Sequence, residues 1–270
     1  MSRILHTGFI LFAFCLIMAC NSEQVKQPQT VSLQTRIPTL RLTSIANTDE
    51  SGKLLLGEIE QAVEDKVEVL DLSNRGLISL PPEIGQLSNL KELQIHSNQL
   101  KSLPPEIGQL SNLEKLNLNI NQLTTLPPEI GYLKNLSELS LNTNQLTVLP
   151  LEIFQLKNLR VLNLGSNNLE ILSREVEQLD NLTILILSGN HLIELPAEID
   201  HLSNLAELDL NVNQLDTLPV EIGQLDNLTR LELYNNQLTT LPVELRALSQ
   251  LTVLQVSRNQ LKTLPSEIKR

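Results

Sequence analysis

Tryptophan is absent from the 270 residues of this chain, and the aromatic residues together supply only 2% of them. Irregular cores are filled by a mixture of side-chain shapes. A chain almost without rings therefore points toward a regular, repeating interior. Glycine numbers only 10, and the glycines are dispersed, which leaves no loop of the kind that cradles a phosphate. Positive charge is scarce as well: 20 basic residues stand against 31 acidic ones, for a formal net charge of −11. Nucleic acid and anionic lipid surfaces both need a basic footprint, so neither is an expected partner. Cysteine occurs only at Cys15 and Cys20. In place of what is missing stand 61 leucines and 25 asparagines.

The first twenty residues, MSRILHTGFILFAFCLIMAC, carry one basic residue, Arg3, ahead of an apolar stretch from Gly8 to Ala19. A permanent span needs about 20 apolar residues, so residues 1–19 are expected to be an export signal. Their end, Ile17-Met18-Ala19-Cys20, resembles a bacterial lipobox, although Met18 departs from its commonest pattern. That resemblance implies lipidation at Cys20 and an anchor in the bacterial cell envelope, on the outer membrane, its periplasmic face or the cell surface. The alternatives are a plain cleaved signal beside a coincidental cysteine, or an uncleaved anchor. Once Cys15 leaves with the signal, Cys20 is the sole cysteine, which excludes an internal disulfide.

Residues 20–48 are rich in Gln, Ser and Thr, include Pro28 and Pro38, and read as a flexible tether. Beyond them Leu55, Ile59 and Ala62 or Val63 recur at helical spacing, with Glu58, Glu60 and Glu64 on the other side. This spacing predicts a capping helix over residues 49–66. Residues 67–270 form an array of nine copies, the last cut short. The string Leu93-Gln94-Ile95-His96-Ser97-Asn98-Gln99-Leu100 returns every 23 residues without insertion. Its asparagine falls at Asn98, Asn121, Asn144, Asn167, Asn190, Asn213, Asn236 and Asn259, whereas the first copy has Arg75 there. Most copies run on into a Leu-Pro-x-Glu-Ile segment, such as Leu103 to Ile107, and then Gln-Leu-x-x-Leu.

The array resembles the 23-residue bacterial form of the leucine-rich repeat family, with its Leu-x-x-Leu-x-Leu-x-x-Asn-x-Leu signature. Together with the lipobox, the chain is similar to exported leucine-rich repeat lipoproteins of spirochaetes. The residues support the same fold independently. In Leu93-Gln94-Ile95, two-residue alternation turns Leu93 and Ile95 inward and Gln94 outward. Stacked copies then give an α/β repeat solenoid, a curved array with nine short parallel strands on the concave face and short helical turns on the convex face. Each asparagine is expected to satisfy backbone groups of a buried turn, because its amide both donates and accepts.

Chemistry finds little foothold. His6 lies in the signal, His96 on the strand face, His191 just past a ladder asparagine and His201 on the outer segment, so no metal site is expected. A Ser73–His96 pairing lacks a pocket and an oxyanion element. The recurrent Glu83, Glu106 and Glu129 sit in the first turn of each outer segment, where negative charge favours the dipole. No catalytic residue, cofactor or small-molecule substrate is expected, and the protein reads as a non-enzyme.

Information therefore lies in the outward strand positions, which vary. Val161, Ile184 and Ile186 should make an apolar patch near the centre of the sheet, with Glu207, Asp209, Glu232 and Tyr234 beside it. An apolar centre with a charged rim is the anatomy of a protein-binding surface; the competing account is that Val and Ile merely suit exposed strand positions. Repeat five replaces the outer Pro, Ile and Gly by Ser173, Val176 and Glu177, a change expected to alter curvature locally. Leu254, Val256, Leu261 and Leu264 have no covering repeat in the sequence, and an open strand edge invites weak end-to-end self-association. The leading functional reading is a membrane-anchored scaffold presenting its concave face to a protein partner, a host or envelope component. The alternative is a periplasmic structural or regulatory scaffold for the cell's own proteins.

Overall fold

The computed structural model describes residues 49–263. The export signal, Cys20, the tether and Leu264 with the residues after it lie outside them. Helix α1 spans Asp49–Glu64. Its buried residues Leu55, Ile59 and Ala62 fall four and three apart, the stripe of a helix that packs on one side only. That stripe covers the first outer turn. The helix ends in a tight reversal, with Lys66 in the left-handed region at φ 51° and the Val67 N–H bonded back to the Ala62 carbonyl at 3.1 Å.

Nine three-residue strands follow, one per repeat: β1 Val69–Asp71, β2 Glu92–Gln94, β3 Lys115–Asn117, β4 Glu138–Ser140, β5 Val161–Asn163, β6 Ile184–Ile186, β7 Glu207–Asp209, β8 Arg230–Glu232 and β9 Val253–Gln255. They form a single parallel sheet in sequence order. Because the repeat never changes length, the register is the same at every step: Leu70, Leu93, Leu116 and their successors face one another across the whole sheet. These central leucines point inward and the residues on either side point outward, as period-two alternation requires.

The return path is a five-residue 3-10 turn, from Pro82–Gln86 in the first repeat to Val243–Ala247 in the eighth. The preceding residue is extended, at φ −75° and ψ 154° for Pro81, and proline fixes that φ in advance. Ser173 takes the same conformation, φ −65° and ψ 145°, and the turn Arg174–Gln178 forms like the others. The turn of repeat five thus keeps the form of its neighbours despite its substitutions. The Ser173 hydroxyl bonds the Glu175 carboxylate and holds that carboxyl below its usual range, helped by the residue's own N–H.

Successive turns nearly touch where glycine allows it. A Cβ on Gly108 would lie 2.5 Å from the Glu129 carbonyl oxygen of the next turn. In repeat four the same column holds Phe154, fully buried in the stack. Elsewhere the interior is a continuous pile of Leu and Ile reaching from α1 to the eighth outer turn.

Candidate functional site: the outward face of the sheet

Two asparagine ladders hold the strands' setting. In the inner one, the Asn98 amide nitrogen donates to the Ile95 carbonyl of its own repeat and to the Leu72 carbonyl of the one before, both at 2.9 Å. Its Oδ1 accepts the N–H groups of Leu77 and Arg75, each at 3.0 Å. Asn121, Asn144, Asn167, Asn190, Asn213, Asn236 and Asn259 repeat the donating pattern. The ladder is buried up to Asn236 and joins each repeat to its neighbour through polar bonds that water does not reach. In the first repeat Arg75 replaces the amide by a guanidinium, which donates to the Asp71 carbonyl at 2.8 Å and pairs with Glu58 of α1. The cap is therefore tied to the array where the ladder begins.

A second ladder runs along the outer side. Asn112, Asn135, Asn158, Asn181, Asn204 and Asn227 each donate to a carbonyl of the preceding repeat at 2.7–2.8 Å. These asparagines also recur every 23 residues, but the leucines around them form the stronger pattern in the sequence.

The outward face splits into three zones. Over β2 to β4 the polar groups satisfy one another. Lys115 Nζ lies 2.7 Å from Glu138 Oε1, and that hydrogen bond and charge hold the ammonium above its ordinary value, aided by Glu92. Gln94 bonds Glu92 at 2.9 Å, and Asn117 bonds Gln94 at 2.7 Å. Over β5 and β6 the face is mostly apolar. Val161 stands opposite Ile184, with Ile186 two residues along the same strand and Asn163 opposite it.

Over β7 and β8 the face becomes acidic. Ile184 is in register with Glu207 and Ile186 with Asp209, and Asp209 faces Glu232. Burial pushes the Asp209 carboxyl above its ordinary value and repulsion from Glu232 adds to this, against hydrogen bonds from the Asn211 N–H and from Ser188. Arg230 pairs with Glu232, and the Asn211 side chain also donates to Glu232. Tyr234 sits at the edge, its N–H on Asn211 Oδ1 at 2.7 Å and its ring under the Arg258 guanidinium at 5.3 Å. The structure thus brings Val161, Ile184, Ile186, Glu207, Asp209, Glu232 and Tyr234 onto four adjacent strands and the turn beyond them.

Along the rim, the residue before each ladder asparagine adopts positive φ. Most are Asn, Ser, Thr or Gly, but Ile120 and Val212 do the same, at φ 55° each, and both are exposed. A β-branched residue is strained there.

The Ser73 hydroxyl donates to Asp71 at 2.5 Å, while His96 Nδ1 lies 3.2 Å from Ser97 Oγ, so His96 does not address Ser73 as a base. Burial tends to raise the Asp71 carboxyl, yet the Ser73 bonds, with His96 and Arg75, hold it below its ordinary value. His191 approaches Gln214 and His201 approaches Asp200, on separate parts of the array. Among the described residues no group of three or more His, Cys, Asp or Glu side chains is placed to hold a metal ion.

With this geometry, similarity to known proteins is informative. A model of the leucine-rich repeat region matches residues 19–166, and two leucine-rich repeat models match residues 200–261 and 181–202. A leucine-rich repeat protein of Leptospira interrogans is 48% identical, over 77% of this chain and 54% of its own, with a TM-score of 0.76. The chain belongs to the leucine-rich repeat family. This leucine-rich repeat protein is also similar to the leucine-rich effector YopM of Yersinia pestis, at 28% identity over 79% of the chain and 61% of the effector, with a TM-score of 0.64. The plant peptide hormone receptor RGFR1, solved in complex with RGF2, is 29% identical over 73% of the chain and 35% of the receptor, with a TM-score of 0.65. The chain spans about half of the Leptospira protein and about a third of the receptor. No curated protein matches it.

Proposed function

We propose that this repeat protein is a membrane-anchored lipoprotein that presents the outward face of its sheet to a protein partner, a host or envelope component. The observation that carries the reading is the in-register apolar group Val161, Ile184 and Ile186 bordered by carboxylates, on a sheet face that no other described element covers. Hydrophobic centres with charged surrounds concentrate binding energy in a few residues. The plant receptor solved with RGF2 supports a binding role for arrays of this kind. Anchoring rests on the lipobox-like sequence ending at Cys20.

The test combines binding and location. Ile184→Asp with Ile186→Asp should abolish partner capture while thermal unfolding stays cooperative; unchanged capture retires the reading. Fatty-acid labelling lost in Cys20→Ala checks the anchor. Digestion by added protease in intact cells separates a surface scaffold from a periplasmic one serving the cell's own proteins. Sedimentation at rising concentration reports whether the edge of β9 recruits a second copy instead.

A further inference from the structure

Carboxylates outnumber cations more at one end of the sheet face than at the other. Over β2 to β4 the single cation, Lys115, lies between Glu92 and Glu138 and bonds the latter. Over β7 and β8, three carboxylates (Glu207, Asp209 and Glu232) face one guanidinium, Arg230. That guanidinium is held by Glu232, although Glu207 is its register neighbour. Glu207 is exposed and has no ion-pair partner among the described residues. The next cation along the array, Arg258, is occupied over the Tyr234 ring. Glu207 and Asp209 directly adjoin Ile184 and Ile186.

Resting on the reading above, we propose that the partner segment lies across β5 to β8 and carries apolar side chains over Val161, Ile184 and Ile186, followed by Lys or Arg over Glu207, Asp209 and Glu232. Three strand spacings of ~4.8 Å make about 14 Å, which an extended chain rising ~3.3 Å per residue crosses in four or five residues. The segment is short, and its order is fixed: apolar toward β5, basic toward β8. The desolvated Asp209 carboxyl gains most from an incoming cation, since burying an opposite charge beside it offsets the cost of keeping it ionised. Over β2 to β4 the acidic excess is smaller, with Glu138 paired to Lys115 and Glu92 bonded by Gln94, so a basic segment gains less there.

A displayed library of random peptides, selected on the immobilised full-length chain, tests this. The expected binders carry an apolar residue beside Lys or Arg. They weaken about tenfold on Glu207→Gln with Asp209→Asn, lose that difference in high salt, and disappear on Ile184→Asp with Ile186→Asp. Glu207→Lys with Asp209→Lys should instead select acidic peptides. Thermal melts of each variant confirm that the array is folded. Binders that need Ile184 and Ile186 but show no basic excess overturn the charge assignment and leave the sheet-face reading standing. Binders indifferent to Ile184 and Ile186, or none at all, overturn both.

Discussion

Each inner-ladder asparagine serves at least three backbone groups at once, which makes it more costly to lose than any single contact around it. Asn144 donates to the Leu118 and Leu141 carbonyls, and its Oδ1 accepts the Leu123 N–H. Asn144→Ala leaves the Leu123 N–H unpaired away from water, while the two carbonyls keep the amides of Asn121 and Asn167, and should cost about 2–3 kcal/mol in urea unfolding. Asn135→Ala removes only one exposed bond to the Ser111 carbonyl and should cost less than ~1 kcal/mol. The rim offers the opposite sign. Ile120 holds a left-handed backbone with its side chain largely in solvent, so Ile120→Asn should raise stability by about 1 kcal/mol.

Asp209 gives a pH dependence at the same scale. Its native carboxyl binds a proton more tightly than in the unfolded chain, because its folded value lies above the ordinary 3.8. Ionisation therefore opposes folding: the effect is absent well below 3.8, grows as pH climbs through the raised native value, and is complete at neutrality. Asp209→Asn should raise the melting temperature at pH 7 and leave it nearly unchanged near pH 3. An equal gain at both values would assign the effect to packing instead.

Among elements, the join between α1 and β1 departs most from the repeat. The side chains of Arg75 and Glu58 are only 12% and 9% exposed. Arg75→Ala strands the Glu58 carboxylate there and frees the Asp71 carbonyl, at a cost of about 3 kcal/mol. Hydrogen exchange should show α1 and β1 losing protection first, with β4 to β7 unaffected, because each repeat contacts only its neighbours. Replacing both residues by Leu should recover most of the loss. The helix itself was readable from the spacing of Leu55, Ile59 and Ala62. Its tie to Arg75 was not, because residues 17 apart in sequence meet only once the first strand has folded back against the helix.

At the scale of the whole array, equal repeats make stability a sum of near-identical steps. Deleting the 23 residues Lys115 to Ser137 should leave a folded, cooperative array whose urea slope falls in proportion to the surface removed. Deleting one residue fewer breaks the register, turning outward residues into the leucine pile, and should abolish cooperative unfolding.

The sequence by itself determined the period, the inward leucines, the inner asparagine column and the order of outward residues, because a strict 23-residue repeat converts chain position directly into place on the surface. Tertiary structure alone decided how those residues are used. It showed that Ser173 takes the path of the proline it replaces, because φ near −65° is open to either residue. It placed Phe154 inside the stack, held Ile120 and Val212 in a strained turn, and paired Lys115 with Glu138 while leaving Glu207 without an ion pair among the described residues. Each depends on which groups meet across adjacent repeats, and that is set by side-chain direction and charge competition in three dimensions.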